Sequence, residues 1–311
     1  MEQKTIKILS TNISIEKGTI KKPVHQIEMN DHGVKGDAHA GSWHRQVSML
    51  GVESFKKFSE IAGREIAFGE FAENITTEGM ELFKTTPLDR FSNENIELEV
   101  TQIGKKCHGS SCAIFREVGN CVMPKEGIFV RVIKGGNLKT GDVLNYHPKI
   151  FKILIITLSD RASKGEYSDK SGPKVKEALE TFAAFSNFKL SFENVIIPDD
   201  ENQLKNILTS AKDTYDFIFT TGGTGIGPRD ITVDVVKPLL DKEIPGIMDM
   251  IRMKYGMEKP NALISRSIAG LMNTSMIFAL PGSVKAVNEY MSEITKVLEH
   301  LVLMLYSIDA H

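Results

Sequence analysis

Thr220-Thr221-Gly222-Gly223-Thr224-Gly225-Ile226-Gly227-Pro228-Arg229-Asp230 follows the apolar run Phe217-Ile218-Phe219 and precedes Ile231-Thr232-Val233-Asp234-Val235-Val236, whose apolar spacing continues into Leu239-Leu240. A β-favouring run, a glycine-rich segment and a helical period read as strand, turn and helix. Such a turn aims backbone N–H groups from the positive end of a helix, and glycines without Cβ let a phosphate approach them. Thr220, Thr221 and Thr224 are expected to add hydroxyl donors, and Arg229 a cation. The spacing is not that of the two commonest phosphate motifs. Gly222 and Gly227 have the separation of a P-loop, but Pro228-Arg229 stands where Lys-Ser/Thr is needed, and a G-x-G-x-x-G frame from Gly223 ends on Pro228. A strand-to-helix turn without a ligand is the alternative. The threonines and Arg229 favour a phosphate-bearing ligand.

Outward from this stretch, strands and helices alternate. Lys152-Ile153-Leu154-Ile155-Ile156-Thr157-Leu158 is a continuous apolar run, the pattern of a strand buried on both faces. A polar loop from Ser159 to Gly172 leads into a helix expected near Pro173. A strand at Leu190–Ile197 and Pro198-Asp199-Asp200 come next, then a helix over about 201–212. The last strand is Ser275–Leu280, followed by Pro281-Gly282-Ser283 and a helix to about Tyr306. The expectation is a three-layer, open α/β sheet with a crevice at the carboxyl ends of its strands. Ser159-Asp160, Pro198-Asp199 and the Thr220–Asp230 segment should converge there. Asp199 and Asp230 suit a divalent cation beside a phosphate. Alternatively, Asp230 caps the helix beginning at Ile231, and Asp199 is a turn residue with Asp200 capping the next helix.

The first half has another texture. Residues 4–15 and 18–29 alternate loosely about Gly18 as a hairpin would. Asp31 to Gly41 is polar and glycine-rich, a loop. Gln46–Leu50 is a short strand, and Glu53 to Ile61 a helix ended by Gly63. Strands follow near Ile96–Ile103 and Ile128–Ile133, with turns at Gly135-Gly136 and Lys139–Asp142. This half is mostly β, a closed or nearly closed barrel. Pro148 marks the join, giving domains over 1–147 and 150–311.

The 311 residues suffice for two cores. Basic and acidic residues number 20 and 19 in residues 1–149, and 18 and 21 afterwards, so neither half has the basic excess of a nucleic-acid binder. No apolar run reaches the ~20 residues that span a bilayer. Three cysteines and an N-terminus without a signal-peptide pattern suggest reduced thiols in the cytoplasm.

Thr-Thr-Gly-Gly-Thr-Gly followed by Pro-Arg-Asp-Ile-Thr resembles the signature of the molybdopterin adenylyltransferases, the MogA type of the MogA/MoaB family. Leu158-Ser159-Asp160-Arg161-Ala162-Ser163, Ile197-Pro198-Asp199-Asp200, Ile264-Ser265-Arg266 and Leu280-Pro281-Gly282-Ser283 extend the resemblance over the second half. It implies that molybdopterin's terminal phosphate attacks ATP, with Mg²⁺ present, to give adenylylated molybdopterin and pyrophosphate. Asp199 and Asp230 fall on the family's two functional aspartates, as magnesium-binding and phosphate-positioning groups. Ser159, Asp160, Thr221, Gly222, Gly223, Thr224, Gly225 and Arg229 would bind substrate. Ser265, Arg266, Pro281 and Gly282 would lie on the pterin side, Pro281-Gly282 being otherwise a plain strand-to-helix turn. A homotrimer is also implied.

In the first half, Gly33-Val34-Lys35-Gly36-Asp37-Ala38-His39 resembles the Gly-x-x-Gly-Asp-x-His pattern of MOSC domains, named for the C-terminal region of molybdenum-cofactor sulfurases. Phe71-Ala72-Glu73-Asn74-Ile75-Thr76-Thr77-Glu78-Gly79 and Gly104-Lys105-Lys106-Cys107-His108 match two further patterns, over roughly residues 5–145. By resemblance Cys107 carries sulfur or contacts molybdenum. Lys105, Lys106 and His108 would favour its thiolate. Cys107, His108, Cys112 and Cys121 are alternatively a zinc site, or Cys107 an inert thiol. His39 and His44 are metal-ligand candidates or simply loop histidines. Arg45 is a candidate for an anionic group of the pterin, or a surface arginine.

The combined expectation is a cytoplasmic, two-domain protein of molybdenum-cofactor biosynthesis that adenylylates molybdopterin with Mg-ATP, the MOSC domain handling sulfur or the pterin–metal cofactor. Its expected partners are molybdenum-insertion or sulfur-transfer proteins, with neither nucleic acid nor membrane. The rivals are a non-catalytic carrier of molybdopterin or finished cofactor, and an enzyme centred on the MOSC half.

Overall fold

Residues 4–105 and 122–308 are described by the structure, a computed structural model. The chain divides into two units, Met1–Lys149 and Ile150–His311. In the first, β1 (Thr5–Ile13) buries Ile6 and Ile8 while Thr5 and Lys7 face water, the period of two expected of a strand with one wet face. After it come β2 (Lys22–Val24), β3 (Gln26–Asn30), β4 (Gly33–Val34), β5 (Val47–Gly51), β6 (Ile75–Glu78), β7 (Arg90–Ser92), β8 (Glu97–Ile103), β9 (Ile128–Lys134), β10 (Gly136–Lys139) and β11 (Val143–His147).

The ring β1-β11-β7-β8-β9-β5-β6 closes back onto β1, so the expected barrel is present and these strands have partners on both sides. Its one parallel pair, β5 and β6, is joined through the helix Val52–Ala62, which ends at Gly63. One apolar cluster, to which Ile6, Ile8, Met49, Ile75, Leu98 and Val130 belong, fills the interior.

Two local expectations are corrected. Residues 18–29 do not return as a single strand: β2 pairs with β1, whereas β3 pairs with β10. Pro23 in β2 has no N–H for the ladder, which confines it to a sheet edge. Gly135-Gly136 is not a turn but the passage into β10. A Cβ on Gly135 would lie 2.6 Å from the Met29 carbonyl oxygen, and one on Gly136 2.6 Å from that of Asn95. Close backbone approach is what these glycines permit.

The second unit contains β12 (Ile150–Leu158), β13 (Lys189–Ile197), β14 (Phe217–Thr221), β15 (Lys242–Glu243), β16 (Ile268–Met272) and β17 (Ser275–Leu280), in the order β13-β12-β14-β17-β16-β15. The first four are parallel, and β16 and β15 are antiparallel additions. Leu154, Ile156, Ile218 and Ile277 form one core with Leu204 and Leu208 of the helix Glu201–Ala211. On the other face Phe219 stacks on Phe278, and Phe151 on Phe188, which meets Phe182 of the helix Ser171–Ser186. This is the expected three-layer open sheet.

Here too the element ends move. The helix near Pro173 starts at Ser171, because Asp169 Oδ1 accepts from the backbone N–H groups of Ser171 (2.9 Å) and Gly172 (3.3 Å). The closing helix is two, Val284–Ile294 and Leu298–Leu305. The break follows Thr295, whose hydroxyl donates to the Met291 carbonyl at 2.9 Å.

A buried polar group sits where the loop before β5 meets β1. Lys21 and Asp37, each with a side chain 1 % exposed, form an ion pair. Asp37 also accepts from Ser14 N and Asn74 Nδ2, both at 3.1 Å. Burial opposes its ionisation, but hydrogen bonds from His39 and Lys21 win and hold its carboxyl far below the usual range. Glu73 nearby is fully buried. Its Oε1 accepts from Gly69 N at 2.5 Å and Thr76 Oγ1 at 2.9 Å, while Oε2 has no partner. Burial outweighs these bonds and pushes its pKa to about 7.

A raised folded-state pKa means that the folded chain holds the Glu73 proton where the unfolded chain releases it. This contribution to stability is complete below the unfolded value of 4.5 and is lost as pH rises through about 7. Glu73→Gln keeps an acceptor for Gly69 and Thr76 but cannot ionise. It should therefore melt like wild type near about pH 4 and above wild type near about pH 8. Thermal scans of both proteins at the two pH values check this, and equal melting at both would show that Glu73 is not held protonated.

Candidate active site and a second cavity

Because β12, β13, β14 and β17 run parallel, the segments beginning at Ser159, Pro198, Gly222 and Pro281 leave the sheet at one edge. Ser159 N donates to the Ile197 carbonyl (2.9 Å), Asp199 N to Asp160 Oδ1 (3.2 Å) and Gly222 N to the Leu280 carbonyl (3.0 Å). Gly222 sits at φ 99°, and a Cβ there would be 2.5 Å from the Leu158 carbonyl oxygen. On its other side a Cβ on Gly282 would be 3.2 Å from Gly222 Cα. Only glycine satisfies both the positive φ and the contact. Ser159, Asp160, Asp199, Gly222, Pro281 and Gly282 are thus brought together.

The loop beyond closes on Asp230, whose Oδ2 accepts from Gly227 N at 2.8 Å. The helix Thr232–Val236 starts later, with Ile231 before it and no side-chain cap. Asp230 therefore does not cap that helix. Its carboxylate turns back towards Gly225, where a Cβ would be 2.6 Å away. Asp200 does cap its helix, accepting from Gln203 N at 2.7 Å.

Arg266 holds the loop from the outside. Its guanidinium donates to the carbonyls of Gly225 and Asp230, both at 2.7 Å, and pairs with Asp234 at 2.9 Å, while its backbone N donates to the Thr224 carbonyl. These bonds use the fork, so Arg266 positions the loop rather than reaching a pterin. The expected threonine donors are also corrected. Thr220 and Thr221 are fully buried and Thr224 is 4 % exposed. Thr221 Oγ1 lies 2.9 Å from Ser171 Oγ and 3.3 Å from Thr157 Oγ1, and Thr224 Oγ1 lies 3.3 Å from Ser265 Oγ. A strand buried on both faces turns its hydroxyls inward, so the loop's outward donors are backbone amides.

Arg229 is 68 % exposed and pairs with Asp160, and its Nη2 stands 3.9 Å from Asp199 Oδ2. Burial, and then the charge of Asp230, nevertheless raise the Asp199 carboxyl above its ordinary range. Among the described residues no group of three or more His, Cys, Asp or Glu could hold a metal ion. Two carboxylates that repel each other suit a cation that takes one or two protein oxygens and the rest from water and phosphate, as Mg²⁺ does. The sequence reading passed over Tyr167, whose hydroxyl is 3.5 Å from Ser159 Oγ with the Arg161 guanidinium 5.3 Å from its ring centre. A lone aromatic in a polar loop has no periodicity to reveal it.

In the first unit the two glycine- and asparagine-bearing patterns meet, Asn74 Nδ2 donating to Asp37 Oδ2. Beside them lies a cavity of about 40 Å³, with His39, Trp43, Arg45, Asn74, Lys105 and Phe129 on its walls. The His44 carbonyl accepts from Thr101 Oγ1 at 2.6 Å. Cys107, His108, Cys112 and Cys121, with Lys106, lie outside the described residues.

Comparison with known proteins agrees with this division. Residues 154–300 match the family model described as a probable molybdopterin binding domain, and residues 36–145 match that of the MOSC domain. The molybdopterin adenylyltransferase of Pyrococcus furiosus is 39 % identical over 163 residues, which span 49 % of this chain and 92 % of that protein. Its namesake in Helicobacter pylori J99 is 35 % identical over 150 residues, 48 % of this chain and 84 % of the relative. Molybdenum cofactor biosynthesis protein B of Staphylococcus aureus Mu50 is 36 % identical over 159 residues, 49 % and 89 % respectively. Through its second domain, which follows a MOSC domain, the chain belongs to the MogA/MoaB family of molybdopterin adenylyltransferases and their relatives.

Proposed function

We propose that the C-terminal domain transfers an adenylyl group from Mg-ATP to molybdopterin, as the names of its relatives describe for them. One observation carries this reading. Asp199 and Asp230 are close enough for the charge of one to raise the pKa of the other, beside a glycine loop opened at Gly222. The nucleophile is the terminal phosphate of molybdopterin, already ionised at neutral pH, so no strong base is required. Its oxygen forms a bond to the α-phosphorus of ATP. The α–β anhydride bond breaks, and its electron pair leaves with pyrophosphate.

Backbone N–H groups of Gly223 and Gly225 offer donors for the charge that grows on the α-phosphate, and Gly222, whose own N–H is taken by the Leu280 carbonyl, leaves room beside them. Thr221 and Thr224 support the loop from beneath. Arg229, exposed at the surface, would exchange Asp160 for a phosphate and add a cation, with Ser159 and Asp160 beside it. Ser265, Pro281 and Gly282 face the pterin. Bound Mg²⁺ neutralises triphosphate charge, and Asp199 and Asp230 are the residues that would hold it. The MOSC domain then handles sulfur or the metal-bearing pterin, in the cytoplasm and with molybdenum-insertion or sulfur-transfer proteins as partners.

The test is formation of adenylylated molybdopterin and pyrophosphate by the purified chain. Asp199→Asn and Asp230→Asn should each lower turnover by roughly 10–100-fold or more, the scale of lost metal coordination, and leave molybdopterin binding within a few-fold. Asp199→Asn should also raise the melting temperature at neutral pH. A raised folded pKa makes ionised Asp199 a liability that disappears as pH falls through the carboxylate range. Wild-type turnover in a folded Asp199→Asn protein would overturn the reading.

Arg266→Lys should fail to replace arginine, since an ammonium cannot reach two carbonyls and a carboxylate in one plane. The expected result is a higher KM for ATP and faster amide hydrogen exchange over residues 224–230. Exchange unchanged from wild type would show that the clamp does not order the loop.

A further inference from the structure

The cavity of the first unit is walled by cations to which no acid among the described residues is paired. The Arg45 guanidinium carbon lies 4.7 Å from the Trp43 ring centre and 6.0 Å from that of Phe129, and Arg45 Nε is buried without a hydrogen-bond partner. Lys105 Nζ lies 6.0 Å from the same Phe129 ring. Among the described residues neither cation has an ion-pair partner. His39 turns Nδ1 towards Lys21 Nζ and Asp37 Oδ1, at 3.5 Å from each, which leaves Nε2 for the cavity.

The other polar groups at the cavity are already satisfied. Ser48 Oγ is 3.0 Å from Asn74 Oδ1, and Asn74 Nδ2 donates to Asp37 and to the Asn12 carbonyl. Among the described residues no acidic side chain lines the space. Asp37 lies behind it, neutralised by Lys21, and Glu73 is fully buried with Oε1 bonded to Gly69 N and Thr76 Oγ1, away from the walls of the cavity. Two cations against aromatic walls repel each other in a medium that screens poorly, and an anion relieves both that repulsion and the orphaned Nε. The volume of about 40 Å³ exceeds what a single water needs but cannot enclose a fused ring. Size and charge suit a small, compact anion, held by the planar fork of arginine and the point charge of lysine.

We propose that this cavity is a binding site for a tetrahedral oxyanion of the phosphate class, taken as the free ion or as the terminal phosphate of a larger ligand whose remainder lies outside. The proposal is independent of the adenylylation reading, which concerns the other domain.

Trp43 is the single tryptophan of the chain. Its fluorescence therefore reports this cavity and not the glycine loop. The full chain would be titrated at constant ionic strength with inorganic phosphate, sulfate, molybdate and glycerol 2-phosphate, with chloride as the control. Saturable fluorescence changes are expected with the oxyanions and none with chloride. Arg45→Gln and Lys105→Gln should each weaken binding about tenfold or more, the value of a charge-assisted hydrogen bond, and Arg45→Lys should fall between. Tighter binding of the ester than of inorganic phosphate assigns the site to a larger ligand, and the reverse order assigns it to the free ion. Should Arg45→Gln not fold, Lys105→Gln, at a half-buried position, carries the test. No saturable change up to about 10 mM, or equal affinity in wild type and Lys105→Gln, would overturn the proposal.

Discussion

At Gly222 the chain leaves a fully buried strand with a positive φ, directly over the Leu158 carbonyl and against the backbone of Gly282. The candidate active site depends on that crowding. Three parallel strand ends can approach so closely only if the residue at their meeting point has no side chain, and a phosphate can approach backbone amides only for the same reason. A methyl group at this position would push β14 away from β12, and with it the loop that carries Asp230. The fold brings the strand ends to one edge, and the glycine lets them close.

The loop beyond Gly222 has little apolar surface and is ordered by polar bonds. Asp230 ties it to Gly227 from within, and Arg266 ties it to Gly225, Asp230 and Asp234 from without. Arg266 arrives from the residues before β16, far along the chain. The same stretch delivers Ser265 to Thr224. The antiparallel additions β15 and β16 thus set the position of the loop, although neither carries a strand end of the crevice. Asp199 stands apart from this arrangement. It is held near Asp230 at an electrostatic cost, and such a cost at a strand end marks a place kept for a ligand rather than for stability.

The first domain handles polar burial differently. Its barrel closes on an apolar interior, and its buried charges are gathered into the Lys21–Asp37 pair with Asn74 and His39 around it. Leaving a buried ion pair with one partner is far more costly than forming none, so this group locks the loop before β5 to β1. Locking that loop fixes where Trp43 and Arg45 stand. The cavity's positive charge follows, among the described residues, from the fact that Asp37 behind it is already paired with Lys21.

Much of this was legible in the residues. The period of two in Thr5–Ile8, the apolar run at 152–158 and the glycines at 222–227 announce a barrel and a parallel sheet, because burial on one face or two writes itself into local patterning. Asp199 and Asp230 could be picked out because each follows a strand that such a sheet places on the same edge. Other features depended on partners distant in sequence. That Thr221 turns inward was decided by Thr157 and Ser171, that Asp230 is no cap by Gly227 and Ile231, and that Gly135-Gly136 is a passage by the carbonyls of Met29 and Asn95. Arg266 looks like a ligand-binding cation until its acceptors are known, and Arg45 like a surface arginine until its Nε is seen to lack one. Hydrogen bonds and close backbone contacts act over about 3 Å between residues that local patterning cannot pair, and only the tertiary structure decides them.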